Sequence, residues 1–189
     1  MRVLGISGSL RRDSYNSGLL RAAADLLPSG AELEVFDGLK AIPPYDADDD
    51  VDPAPEAVAA LREAIAGADA VLVATPEYNA SIPGVLKNAL AWASRPHATN
   101  PLRGKPAAVV GASTGMFGAV WAQADTRKVL STIGARVVDV ELPVPDGAER
   151  FDAAGTLQDA EVEEQLGEVL TVLLEAAETR AAGLAARAA

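Results

Sequence analysis

Five short apolar segments alternate with stretches of helical periodicity, and this alternation limits the fold more than any other feature. The segments are "RVLGIS", ending at Ser7; "AELEVF", ending near Asp37; "DAVLVAT"; "KPAAVVGAS"; and "ARVVDVEL". "DAVLVAT" is a continuous apolar run, as expected of a strand buried on both faces, whereas "AELEVF" alternates apolar and polar residues. The stretches between them have apolar residues at helical spacing. Leu19, Leu20, Ala23 and Leu27 predict a first helix, stopped by Pro28 and Gly30. Val58, Leu61, Ile65 and Ala68 predict a second, with Asp52-Pro53 at its start. Val85, Leu86, Ala89 and Trp92 or Ala93 predict a third. Trp121, Val129, Leu130 and Ile133 predict a fourth, closed by Gly134. Val162, Leu166, Val169, Leu170, Leu173 and Leu174 predict a long last helix whose tail, "AAGLAARAA", is expected to fray.

Repeated strand–helix alternation predicts an α/β fold: a parallel sheet covered by helices on both faces, with right-handed crossovers. The 189 residues, 49% of them apolar, suit one domain spanning 1–189 with a sizeable core. The one polar, proline-rich break, "PPYDADDDVDPAP", falls where a loop between the second strand and second helix belongs.

A net charge of −11 argues against nucleic acid and against anionic membrane surfaces as partners. The absence of cysteine excludes disulfides, thiolate nucleophiles, cysteine-ligated zinc and iron–sulfur clusters. With His97 the only histidine, neither a histidine metal site nor a Ser-His-Asp triad is expected. No apolar run approaches the roughly 18 residues of a membrane helix. "MRVLGI" before Ser7 is short for a signal-peptide core, so the expectation is a cytoplasmic protein.

In open α/β sheets ligands bind beyond the carboxyl ends of the strands, so the segments following each strand are where chemistry should lie. After the first strand comes "GSLRRDSYNSGLL". A helix N-terminus offers free N–H groups and partial positive charge, Gly8 permits a close turn, and Ser7, Ser9, Ser14 and Asn16 add polar groups. Arg11 or Arg12 adds a full charge. A Ser/Asn-capped helix start with solvated arginines fits the same letters, but the position after strand one favours a phosphate cradle. The stretch matches neither G-x-G-x-x-G nor G-x-x-x-x-G-K-[ST].

After the third strand, "TPEYNASIPGVLKNALAWASRP" places Pro76 at the strand's end and a helix start near Pro83. A planar ring could stack on or beside Tyr78, with its polar edge meeting backbone amides of Glu77 to Asn79; an ordinary loop with a surface tyrosine is the alternative. After the fourth strand, "GASTGMFGAVWAQ" is small and glycine-rich, able to approach a flat ligand closely or simply to turn. In the strand order 2-1-3-4-5, strands one and three flank the switch point. A phosphate cradle after one and a ring-binding loop after the other together describe a mononucleotide site.

"GSLRRDSYNSGLL", "PEYNASIPGVLKNALAWASRP" and "GASTGMFGA" resemble the NAD(P)H-dependent FMN reductase family of the flavodoxin-like superfamily, which includes bacterial quinone, chromate and azo-dye reductases. The similarity spans about residues 2–142, and its first two motifs are the specific ones. It implies a flavodoxin-like sheet of order 2-1-3-4-5 and noncovalently bound FMN. Ser9, Arg11, Ser14 and Asn16 match phosphate-holding positions, with Leu10 and Tyr15 in the same cofactor-binding stretch. Pro76, Glu77, Tyr78 and Asn79 match the loop at the flavin ring, and Ser113 matches a position at the ring's other edge. It further implies ping-pong hydride transfer from NAD(P)H to FMN and then electron transfer to a small-molecule acceptor. That acceptor would be a quinone, an azo or nitro compound, chromate or free flavin, and no side chain is obligatory as acid or base. Members are commonly homodimers or homotetramers with flavin sites near subunit contacts. Where the family usually shows Arg-x-Gln-Tyr-His-Leu-Arg, this chain has "VWAQADTRKVL", keeping Gln123 and Arg127.

An electron carrier of the flavodoxin type, without its own NAD(P)H oxidation, is the rival reading, and the acidic charge suits it. A calcium loop at "DADDDVD" is not expected: the positions that need Gly and Glu hold Val51 and Ala57. The run is expected to be a solvated loop. His97 is expected in an exposed loop, Trp92 in packing, Trp121 at a subunit seam or pocket wall, and Glu141 and Asp146 in solvent beyond strand five.

Overall fold

The structure, a computed structural model, describes residues 1–188. Along the chain run β1 (Arg2–Ser7), α1 (Tyr15–Leu26), β2 (Glu32–Phe36), α2 (Glu56–Gly67), β3 (Ala70–Ala74) and α3 (Gly84–Ala93). They are followed by β4 (Pro106–Ala112), α4 (Val120–Thr132), β5 (Arg136–Val144), α5 (Gly147–Arg150) and α6 (Ala160–Ala188). The strands form one parallel sheet in the order β2-β1-β3-β4-β5, the flavodoxin-like order.

Every residue of β3 and β4 is buried, and their side chains alternate between two cores, as the two-residue strand period requires. Leu72, Ala74, Ala108 and Val110 meet Leu19 and Leu20 of α1 and Leu166, Leu170 and Leu173 of α6. Val71, Val73, Ala107 and Val109 meet Val58, Leu61 and Ile65 of α2, Leu86, Leu90 and Trp92 of α3, and Leu130 of α4. Helices therefore cover both faces, and the connections after β1, β3 and β4 emerge side by side at one end.

Four element boundaries and one helical face differ from the sequence expectation. First, α1 ends at Leu26, leaving Leu27 extended as its cap. Second, α2 begins at Glu56 rather than at Asp52-Pro53: Pro55 disfavours helical backbone at Ala54, so the helix starts beyond it. Third, β5 runs on to Val144, so Glu141 lies within the strand, where it pairs with Arg127 at 3.5 Å. Pro143 is tolerated because β5 pairs on one side only. Fourth, α6 is helical through Ala188, where a frayed tail is expected, and Ala189 at the end of that tail lies outside the described residues. On α4 the buried residues are Ala122, Gln123, Thr126 and Leu130, and Trp121 is exposed. Thr126 satisfies its hydroxyl on the Ala122 carbonyl (2.6 Å), which lets a polar residue face the core where an apolar count misses it.

Trp92 is wholly buried; its indole N–H donates to the Pro43 carbonyl (2.9 Å), and Tyr45 packs edge-on at 4.9 Å. The acidic loop is not wholly solvated, because Asp50 pairs with Arg62 at 3.0 Å. Among the described residues no group of acidic or histidine side chains is disposed to hold a metal, and no helix is long and apolar enough to cross a membrane.

Candidate functional site

A cleft of about 260 Å³ lies at the carboxyl ends of β1, β3 and β4. Ser9, Arg11, Ser14, Tyr15 and Asn16 line it from the β1–α1 connection. Pro76, Glu77 and Tyr78 line it after β3, and Ala112, Ser113 and Thr114 after β4. Leu10 and Asn79 lie outside the lining, Leu10 with its side chain in solvent and Asn79 at a turn tip. Arg12 is exposed and also outside it.

The first wall follows from the turn after Ser7. The Gly8 N–H continues the sheet by donating to the Ala74 carbonyl (2.8 Å), and a Cβ there would sit 3.0 Å from Leu86 and 3.2 Å from Pro76. Glycine thus lets this turn lie directly against the loop after β3. Ser14 caps α1, its Oγ accepting the Asn16 N–H (3.2 Å), and no acidic residue neutralises the helix's first turn. The Arg11 guanidinium rests over the Tyr15 ring at 5.0 Å, and that ring stacks on Phe151 at 5.2 Å. A serine-rich, cation-bearing, positively polarised helix start has the donor set that an anion requires.

Asn16 is placed differently from a free donor. Its side-chain amide donates to the Ala112 carbonyl and accepts the Ala112 N–H, both at 3.0 Å. The buried amide thus ties α1 to the end of β4 through one N–H and its oxygen. Phe151, remote in the chain and on no recognisable motif, backs the Arg11–Tyr15 stack; no local signal marks it.

The second wall is a tight hairpin. Tyr78 and Ser81 exchange N–H to carbonyl bonds at 3.2 Å, while Asn79 and Ala80 take the left-handed conformation with φ of 54° and 57°. These are the signs of a two-residue primed turn. Tyr78 is half exposed beside the cleft. Glu77, the cleft's one carboxylate, accepts the N–H groups of Trp121 (3.0 Å) and Ala122 (3.1 Å) through Oε2. Ser81 donates to Asp125 (2.6 Å).

The third wall is held by β5: the Ser113 N–H donates to the Val144 carbonyl (3.1 Å), and the Ser113 carbonyl accepts the Gly147 N–H (2.9 Å). Gly118, at φ 58°, has no room for a Cβ, which would lie 2.6 Å from the Val144 nitrogen. Gln123 is buried and donates to the Gly118 carbonyl (3.0 Å), so it shapes this loop. Met116, Phe117 and Trp121 are exposed, the two rings edge-on at 4.9 Å. Arg127 instead reaches the β5 edge, donating to the Val138 (2.9 Å) and Val140 (2.7 Å) carbonyls. His97 sits in a short exposed turn, its carbonyl accepting from Arg103 (2.9 Å). Asp146 precedes α5 at φ 51°.

The cleft thus joins a corner of serine hydroxyls and an arginine to a small-residue and aromatic wall, with no cysteine or histidine in its lining. The family model described as NADPH-dependent FMN reductase matches residues 1–149. An NAD(P)H-dependent FMN reductase of Pseudomonas aeruginosa is 45% identical over 174 residues, 92% of this chain and 93% of the relative. A 2-hydroxy-1,4-benzoquinone reductase of a Burkholderia species is 40% identical over 158 residues, 83% of this chain and 85% of the relative. Among solved structures, the flavoenzyme NAD(P)H:(acceptor) oxidoreductase FerB of Paracoccus denitrificans aligns with a TM-score of 0.85 at 36% identity. The alignment covers 94% of this chain and 97% of that one.

Proposed function

The chain belongs to the NADPH-dependent FMN reductase family, and from that premise we propose that it binds FMN in this cleft and uses it to pass electrons from NAD(P)H to a quinone. The observation that carries the reading is the meeting, in one cleft, of a serine and arginine corner at the α1 N-terminus with the Pro76–Tyr78 wall. The donor set fits the cofactor. Ser9, Arg11 and Ser14 would hold the phosphate, and the backbone around Glu77 to Asn79 with the small residues Ala112 and Ser113 would hold the ring. When bound, FMN supplies the hydride chemistry that the side chains of this cleft lack.

The chain's own contribution is binding, orientation and access. The positive end of α1 and Arg11 offset the field of an acidic protein at the phosphate. Asn16 keeps α1 and β4 in fixed relation, so the cradle and the third wall do not drift apart. Half-exposed Tyr78 leaves one side of the cleft open, so that a nicotinamide and an acceptor can use it in turn. The acceptor class rests on the reductase names of the relatives, with azo and nitro compounds, chromate and free flavin following from the family resemblance. A cytoplasmic homodimer or homotetramer belongs to the same reading. The electron-carrier alternative loses ground because relatives at 40–45% identity carry reductase names and the 36%-identical structure is named an NAD(P)H:(acceptor) oxidoreductase, each aligned over most of its length.

The test is steady-state oxidation of NADPH and NADH by the FMN-loaded protein with a benzoquinone. Parallel double-reciprocal lines for the two substrates are expected. Oxidation no faster than with free FMN alone would refute the proposal.

A further inference from the structure

We propose that Glu77 is a positioning residue: its carboxylate is the N-terminal cap of α4 and thereby fastens the strained turn at Asn79 and Ala80 to the wall of the cleft. The proposal rests on the FMN reading for what the turn faces, but the fastening itself stands on geometry. The residue preceding α4, Ala119, lies at φ 62° and has no side chain able to cap. The first helical N–H, that of Val120, donates to the Phe117 carbonyl (3.1 Å), and the fourth, that of Gln123, donates to Ala119 (3.0 Å). This leaves Trp121 and Ala122, the second and third positions, which are the two a capping side chain normally serves. Both donate to Glu77 Oε2, at 3.0 and 3.1 Å. A carboxylate is also the side chain best matched to the positive end of a helix. The cap is therefore supplied from another loop altogether.

A second fastening lies one turn further along α4, where Ser81 donates to Asp125 (2.6 Å). Glu77 and Ser81 bracket Asn79 and Ala80; asparagine is at ease in the left-handed region, but Ala80 is strained there. Strained backbone persists only where its surroundings over-determine it, and two anchors on one helix, one on each side of the pair, do so here. The Tyr78 and Ser81 N–H groups are spent on each other across the turn. The N–H groups of Glu77 and Asn79 have no such partner in it, and they are the ones on the ring side of the reading. Although Glu77 lines the cleft, its carboxylate acts through α4.

The experiment compares Glu77→Ala, Glu77→Gln and Ser81→Ala with wild type. Two measurements are made: dissociation constants of the apoprotein for FMN and for riboflavin, and hydrogen-exchange protection of the Trp121 and Ala122 amides. In Glu77→Ala both flavins should weaken by the same factor, about five- to tenfold, because the ring wall is loosened and the phosphate cradle is not. The two amides should lose protection. Glu77→Gln keeps an acceptor oxygen and should stay within about threefold of wild type. Ser81→Ala should weaken both flavins equally, by a smaller factor. Protected amides or unchanged flavin affinity in Glu77→Ala would overturn the proposal, as would a Glu77→Gln variant as weak as Glu77→Ala. If Glu77→Ala does not fold, Ser81→Ala decides: equal weakening upholds the fastening, and unchanged affinity overturns it. If wild type binds neither flavin, the FMN reading fails, and the amide protection still judges the cap.

Discussion

Replacing Arg11 with alanine isolates the phosphate half of the site. The guanidinium is exposed and lies over Tyr15 at 5.0 Å, at the start of a helix with no acidic residue in its first turn. A hydrogen bond to a charged group is worth about 1.5–3 kcal/mol, and solvent exposure places this one in the lower half of that range. Part of the gain is offset by whatever cation–π contact the arginine gives up on turning toward the ligand, about 0.5–1 kcal/mol. The net loss on removing it is about 0.5–1.75 kcal/mol, or roughly two- to twentyfold in the FMN dissociation constant. Riboflavin has the same ring but no phosphate, and its affinity should stay essentially unchanged. Fluorescence titration of the apoprotein with both ligands measures the ratio directly. The FMN-specific loss should shrink as salt is raised, because the contact is exposed. Arg12→Ala, outside the cleft lining, serves as the control and should leave the ratio unchanged. Equal losses for FMN and riboflavin in Arg11→Ala, or a selective loss in Arg12→Ala instead, would refute the assignment of the charge to Arg11.

Two further predictions concern stability. Gly18 lies inside α1, where alanine would ordinarily add up to about 1 kcal/mol of helix propensity. Here a Cβ would stand 2.6 Å from the Gly155 carbonyl oxygen and 2.8 Å from the Phe151 ring, so Gly18→Ala should destabilise by about 1–3 kcal/mol in urea unfolding; unchanged stability would show that the 151–155 segment gives way freely. Lys105 is buried, its ammonium donating to the Ala66 (3.3 Å) and Ala68 carbonyls, and burial pushes its pKa down from 10.5 to about 8. The unfolded chain then binds more protons between those two values, so the lysine's contribution is full above 10.5 and is lost as pH falls through 8. Measured against Lys105→Met, wild-type stability should rise from pH 7 to 10.5 by about 1–3 kcal/mol, the upper figure applying without solvent screening; a flat difference would contradict the shift.

Much of this molecule is legible in one dimension because its determinants are local. Continuous apolar runs such as Ala70–Ala74 are what burial on both faces requires, and the order of strands and helices then leaves few topologies. The serine, arginine and asparagine cluster after β1 and the Pro76–Tyr78 segment after β3 are readable as two walls of one cleft because both follow adjacent parallel strands. What stays hidden depends on partners far apart in the chain. Asn16 reads as a free donor until Ala112 is seen to occupy both ends of its amide. Glu77 reads as a ligand group until α4 is seen to lack a cap of its own. Trp121 reads as part of the helix's apolar stripe because Gln123 and Thr126, which do face inward, are polar: the Gln123 amide N–H donates to the Gly118 carbonyl and the Thr126 hydroxyl to the Ala122 carbonyl. Phe151, behind Tyr15, belongs to a connection after β5 that carries no motif at all.

The central claim is that NAD(P)H delivers electrons to a flavin held in this cleft. The most direct measurement is an anaerobic absorption titration of the FMN-loaded, desalted protein with NADPH, followed by a benzoquinone. The account predicts that the bound flavin's visible absorption is bleached by about one equivalent of nicotinamide nucleotide and returns on adding the quinone. A flavin that remains oxidised in excess NADPH and NADH would contradict it and leave the chain an electron carrier at most.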